Sequence, residues 1–76
     1  MGWFILVNIK LQEILNKKER SLNWVAIKTG ISYSTLYKLS NNKTKSISFD
    51  VLERICVLFE INASDLIEIC VEKNKE

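Results

Sequence analysis

Apolar residues along this chain follow two spacings. From Trp3 to Val7 they run continuously and are largely aromatic or β-branched, which predicts an extended segment over residues 1–7. From Ile9 onward they recur at three- and four-residue intervals, the period of an amphipathic helix. Leu11, Ile14 and Leu15 form one stripe and predict a first helix over about Ile9 to Lys18, capped by Asn8. Lys17 and Lys18 fall in its last turn, where they suit the negative end of the helix dipole. Leu22, Val25 and Ala26 share a face of a second helix behind Ser21, a good N-cap residue. Leu36 and Leu39 mark the buried side of a third helix, capped by Ser32. Ser48 caps a fourth, over about Phe49 to Phe59. Its inward face is Leu52, Ile55, Cys56 and Phe59, widened by Val51 and Leu58, which makes it the central core element. Asn62 caps a last short helix through Ala63, Ser64, Asp65 and Leu66. Ile67 to Val71 returns to β-favouring residues, and the charged tail from Glu72 is expected to fray.

Two features of this pattern need a home. Trp24 and Ile27 lie off the main face of the second helix, either in the core or on a partner-facing patch, with the core preferred. The two apolar ends form an antiparallel ribbon within one chain, or they pair between two copies. A lone two-stranded ribbon is marginal in water, so packing or dimerisation must support it.

The stretch Ser21–Asn41, SLNWVAIKTGISYSTLYKLSN, organises the rest. Gly30 stops the second helix because glycine takes a positive φ without a Cβ penalty. Ala26 is small enough for the next helix to cross closely, and Ile31 plugs the corner. Two short helices joined by a glycine turn are the helix-turn-helix signature. The succession Ala26, Gly30-Ile31-Ser32, Leu36 and Leu39 resembles the lambda repressor/Cro-like helix-turn-helix family. The resemblance continues through Asn41-Asn42-Lys43-Thr44-Lys45, Leu52-Glu53-Arg54-Ile55-Cys56 and Ser64-Asp65-Leu66, and covers about Ile9 to Ile67. It implies an all-α, compact five-helix lambda-repressor-like domain, with a small β-ribbon of the N- and C-terminal segments as an addition. Three positions depart from the pattern. Asn42 stands where the family often has glycine, and asparagine tolerates the left-handed conformation. Leu22 replaces a common glutamine that contacts phosphate or base. Glu60 stands where a glycine usually follows the fourth helix, so that helix is expected to end differently.

Composition narrows the class. Seventy-six residues make one small domain over residues 1–76, with 47% hydrophobic and 26% charged residues, no proline and two glycines, which favours helices. No apolar run approaches a membrane span, and Trp3 to Val7 is too short for a signal-peptide core. The expected compartment is the cytoplasm. Cys56 and Cys70 are then free thiols rather than a disulfide. With no histidine, mixed His/Cys zinc sites are excluded, and neither a metal nor a cofactor is expected.

Charge is modest overall, at +2, but unevenly spread. Between Glu19 and Asp50 there is no acid, and Arg20, Lys28, Lys38, Lys43 and Lys45 give a local +5. From Asp50 onward the balance is −4. The basic block coincides with the helix-turn-helix, as a phosphate-facing surface requires.

In helix-turn-helix proteins the second motif helix enters the major groove. With Leu36 inward, Ser34 and Lys38 point outward, Tyr37 lies beside them and Thr35 on the other flank. Ser34, Thr35, Tyr37 and Lys38 are the base-contact candidates. Tyr33 joins them, leaning on the core or touching a thymine methyl or a phosphate. Phosphate contacts are expected from the Ser21 cap and the amides of Leu22 and Asn23. By the family resemblance, Asn41, Lys43, Thr44 and Lys45 share that role. The expected partner is double-stranded DNA, bound by a homodimer without a small-molecule ligand. Catalysis is not expected, since no residue constellation supports it. The alternative is an antitoxin-like or anti-repressor module that holds another protein, suggested by the acidic last third and the apolar ends.

Overall fold

A computed structural model describes the backbone of residues 3–73 and the side chains of residues 7–69. The order is β1 (Trp3–Ile9), α1 (Leu11–Lys18), α2 (Leu22–Thr29), α3 (Tyr33–Ser40), α4 (Phe49–Phe59), α5 (Ala63–Leu66) and β2 (Ile67–Lys73). The two strands pair antiparallel within the chain, in a register from Trp3↔Lys73 to Ile9↔Ile67. The apolar ends therefore find one another in cis.

Three of the five helices begin as their sequences dictate. Ser21, Ser32 and Ser48 sit in extended conformation, and each hydroxyl accepts the N–H three residues on, from Trp24, Thr35 and Val51 at 3.1–3.2 Å. Each bond satisfies a donor that the helix itself leaves unpaired. α5 is capped in reverse. The Asp65 carboxylate accepts from the Asn62 N–H at 3.1 Å, while the Asp65 N–H returns to the Asn62 carbonyl.

The first helix departs from expectation. It begins at Leu11, not Ile9, and its N-cap position is Lys10, with no side-chain cap. Asn8 belongs to β1, where its amide reaches Glu68 across the ribbon at 3.5 Å. Strand pairing overrides the capping signal because it places Ile9 in the core, 8% exposed. The Lys10 N–H donates to the Leu66 carbonyl at 2.7 Å, fastening the start of α1 to the end of α5 at the ribbon's base. The second strand also runs further than predicted, through Glu72 to Lys73. The remainder of the expected frayed tail, residues 74–76, lies outside the described residues.

The core draws on every helix: Leu11, Ile14 and Leu15 from α1, Val25 from α2, Leu36 and Leu39 from α3, Ile55 and Phe59 from α4, Leu66 from α5. Ile31 plugs the α2–α3 corner as expected. Trp24 is half-buried and packs against Phe59 at 6.1 Å between ring centroids. Ile27 is not core. It stands 73% exposed, because Val25 takes the inward direction and α2 has only one neighbour-facing side. Cys56 is free and half-buried. Partial burial, then the nearby Asp65 charge, push its thiol above the usual range. The side chain of Cys70 lies outside those described.

Glu60 does not change how α4 ends. It adopts the left-handed conformation itself, φ 56° and ψ 49°. Its N–H donates to Val57 and the Ile61 N–H to Cys56, closing the same turn a glycine closes. Glu19 ends α1 in the same way, at φ 55°. A residue with a Cβ is strained there by roughly 1–2 kcal/mol. Glu60→Gly is therefore expected to stabilise the fold by about 1 kcal/mol, raising the urea midpoint at unchanged slope. A lowered midpoint would show that the Glu60 side chain contributes more than its backbone strain costs.

Candidate nucleic-acid interface

The exposed side of α3 is built by its two neighbours. Gly30 ends α2 at φ 79°, and its N–H donates to the Ala26 carbonyl at 2.9 Å. The Thr29 hydroxyl donates to Val25 and accepts from the Ile31 N–H, so it spans the turn. Arg54 of α4 reaches across to donate to the Thr29 carbonyl at 2.9 Å, while its Nε donates to Asp50 at 3.2 Å. A cation thus lies at the C-terminal end of α2, where the dipole favours it. The turn is fixed from both sides, and so is the direction in which α3 presents its outer face.

On that face Tyr33, Ser34, Thr35, Tyr37 and Lys38 are all exposed, as Leu36 and Leu39 turn inward. Tyr33 does not lean on the core. Its ring stacks on Tyr37, centroids 6.4 Å apart and planes 23° apart. Lys43 places its ammonium 6.0 Å from the Tyr37 ring, at the edge of cation–π range. The Ser32 hydroxyl donates to Thr35 Oγ1 at 2.9 Å, which leaves the Thr35 proton to seek an acceptor elsewhere.

An open hollow of about 390 Å³ runs from Thr35 and Lys38 to Thr44, Ser46 and the Ser48 cap of α4. Within the loop, the Thr44 hydroxyl donates to the Ser46 carbonyl and accepts from its N–H, a local turn. Lys43 and Lys45 are exposed. Asn41 is occupied differently: its amide nitrogen donates to Tyr37 and Ser40, closing the end of α3. At the start of α2, Ser21 takes the Trp24 N–H, and helix geometry leaves the Leu22 and Asn23 N–H groups as outward donors.

The basic block is less uniform in space than in sequence. Lys38, Lys43 and Lys45 gather on α3 and the loop behind it. Arg20 instead lies over the Trp24 ring, 4.5 Å from its centroid. Lys28 lines a separate groove with Asp50, Glu53 and Arg54. Among the described residues, no group of three or more His, Cys, Asp or Glu is placed to hold a metal, and no helix is long and apolar enough to cross a membrane.

The residue that the sequence pattern did not reveal is Asn42. It takes the left-handed conformation at φ 57°. Its side chain accepts from the Ile9 N–H at 2.6 Å, donates to the Ile9 carbonyl at 3.4 Å and donates to Asn8 Oδ1 at 3.1 Å. The amide thus takes the place of a neighbouring strand's peptide group and moors the loop to β1. The only sequence signal was its left-handed position, which says nothing of where the amide points.

A family model described as the Cro/C1-type HTH DNA-binding domain matches residues 10–71. The chain is 33% identical over 64 residues to YozG, an uncharacterized HTH-type transcriptional regulator of Bacillus subtilis (strain 168), spanning 84% of this chain and 74% of that protein. A solved structure of a candidate DNA-binding protein from Bacteroides fragilis superposes with a TM-score of 0.72 at 25% identity, covering 83% of this chain and 100% of that one.

Replacing Asn42 separates its two roles. Asn42→Gly keeps the backbone conformation and removes the side-chain bonds. It is expected to cost about 1–3 kcal/mol by leaving the Ile9 peptide short of partners, with the loss visible in thermal melting. A variant as stable as the parent would show that water replaces the amide without cost.

Proposed function

This chain belongs to the Cro/C1-type HTH DNA-binding domain family, and from that we propose that it is a transcriptional regulator reading a specific double-stranded DNA sequence through α3. The observation that carries this reading is the grouping of exposed donors and cations on one side of the molecule. Ser34, Thr35, Tyr37, Lys38 and Tyr33 face outward from a helix whose orientation α2 and Arg54 fix. Lys43 and Lys45 flank it on an anchored loop. The helix reads base edges, with Lys38 suited to guanine acceptors and the hydroxyls to donors or acceptors.

The backbone contacts fall to Lys43, Lys45, Thr44, Asn41, the Ser21 cap and the amides of Leu22 and Asn23. Such contacts set register without reading sequence. Both Asn41 Nδ2 protons are engaged within the unbound chain, so a phosphate must compete for them. The unit is read as a homodimer in the cytoplasm, since one short helix reads few base pairs and paired half-sites lie about 34–36 Å apart. The family resemblance supports binding rather than catalysis, with no cofactor or small-molecule ligand.

A second reading, a module that holds another protein, draws on Ile27 and Val57, both over two-thirds exposed. Titration of bulk duplex DNA at two salt concentrations separates the readings. A DNA binder loses affinity steeply with salt, and a protein-binding module shows no DNA affinity at either.

Two substitutions test the assignment of contacts. Lys38→Ala is expected to cost roughly 1–3 kcal/mol on the preferred site and to relax specificity at one base position, read by selection from a random duplex pool. If the selected sequences match those of the parent, α3 is not the reading element. Lys43→Ala and Lys45→Ala are expected to weaken all duplexes alike and to reduce the salt slope by about one each. An unchanged slope in the double variant would place the loop away from the backbone.

A further inference from the structure

We propose that Tyr33 and Tyr37 act as one unit that reads thymine methyl groups on a single strand of the bound duplex, and so fix two thymines in the preferred site. This rests on the DNA-reading role of α3 and names a class of sequence for it.

α3 divides its outer surface by residue type. At about 100° per residue, with Leu36 inward, Ser34 and Lys38 stand nearly opposite the core. Tyr33 and Tyr37 form a separate stripe along one flank. Both are about half exposed, on a face whose other exposed members are serine, threonine and lysine. A single exposed aromatic needs no explanation. Two in mutual contact make an organised apolar surface beside a polar one, on the helix that enters the groove.

The pair is also preformed. The rings lie 6.4 Å apart, with planes inclined by 23°. Tyr33 meets Tyr37 from one turn nearer the start of α3. The Lys43 ammonium, 6.0 Å from the Tyr37 ring, comes from the loop past the end of the helix. The Lys43 N–H donates to the Lys38 carbonyl at 2.8 Å, so that cation is carried by a tethered backbone. Tyr37 is thus flanked from both directions, and what it offers to a partner is its outer edge and its hydroxyl. A preformed aromatic pair gives contact area at small cost in side-chain freedom.

The chemistry of that surface selects its target. Among the groups that base pairs show in the major groove, the thymine C5 methyl is the apolar one, and apolar side chains are its partners. The methyl sits toward its own strand's backbone, at the side of the groove, whereas guanine O6 lies nearer the middle. A stripe on the flank of α3 meets the side of the groove, and the Ser34 and Lys38 stripe meets its middle. The rings are spaced more widely than the rise of one nucleotide, about 3.4 Å, so each serves a different nucleotide. Lys43, beside Tyr37, then lies next to the backbone of that same strand.

The test uses the parent chain and the duplex it selects from a random pool, with each thymine replaced in turn by deoxyuridine. That change removes the methyl and keeps every hydrogen-bonding group. Two positions on one strand are expected to lose about fourfold in affinity each, the value of one buried methyl group. Tyr33→Ala is expected to abolish the loss at one of them and Tyr37→Ala at the other, a coupling that the paired changes isolate. Tyr33→Phe and Tyr37→Phe are expected to keep both losses, because the ring and not the hydroxyl makes the contact. A selected site without thymine, or a parent indifferent to deoxyuridine at every position, overturns the proposal and leaves the DNA reading standing. Methyl dependence that survives in both Ala variants, or that vanishes in a Phe variant, overturns it as well. Should an Ala variant fail to fold by circular dichroism, the parent and the Phe variants decide alone. A parent without affinity for any duplex overturns the DNA reading, and this proposal with it.

Discussion

The loop that follows α3 is tied to the ribbon by the amide of Asn42. The side chain emerges from the second residue past the end of α3 and grips the backbone of Ile9, more than thirty positions earlier. A buried or half-buried peptide group without a partner is costly, so either the loop folds back on β1 or the edge at Ile9 must keep water. The left-handed backbone at Asn42 aims the amide, and the amide holds the loop. Lys43, Thr44 and Lys45 follow directly. Their position is set from two sides: the Lys43 N–H donates to the Lys38 carbonyl of α3 at 2.8 Å, and the Asn42 amide ties the loop to β1.

Arg54 makes the corresponding constraint on the other side. It ties α4 to the carbonyl at the end of α2, next to the glycine turn. The nearest atom to a Cβ added at Gly30 is Arg54 Nη1, at 3.5 Å. Space is thus available there, and the left-handed φ is the reason for glycine. The two braces meet α3 from opposite ends, which leaves its outward side chains free of structural duty. A fold that fixes a helix while leaving its outer face unconstrained accommodates different readers on one frame.

Much of this was legible in the sequence. Serine caps at 21, 32 and 48 gave the starts of three helices, because a cap acts through its own neighbours. The apolar stripes of α1, α3 and α4 gave the core for the same reason. The errors lay where distant residues decide. Asn8 has the chemistry of a cap, but its partners are Glu68 and Asn42. Ile27 is apolar, but no element lies opposite it. Glu60 was expected to end its helix differently, yet the hydrogen bonds of the turn outweigh the strain of a Cβ. The evenness of the basic block also failed in space, since Arg20 lies over Trp24 and Lys28 faces Asp50 and Glu53. Neither diversion has a period or a motif by which it could be read.

The pairing of Asn8 with Glu68 spans sixty positions, and this has a consequence during synthesis. β1 leaves the ribosome well before its partner strand exists. Local helices form quickly, whereas pairing across a long loop is slow. For the interval in which α1 to α4 are complete and β2 is still being made, β1 is an uncharged apolar strand with no strand paired to either edge. Nascent chains on neighbouring ribosomes meet in that interval, when such strands are prone to misassembly. Asn42, whose amide holds the Ile9 backbone in the finished fold, is made some twenty-five residues before β2 begins, so the one side chain that closes part of the β1 edge is present before the sheet can close.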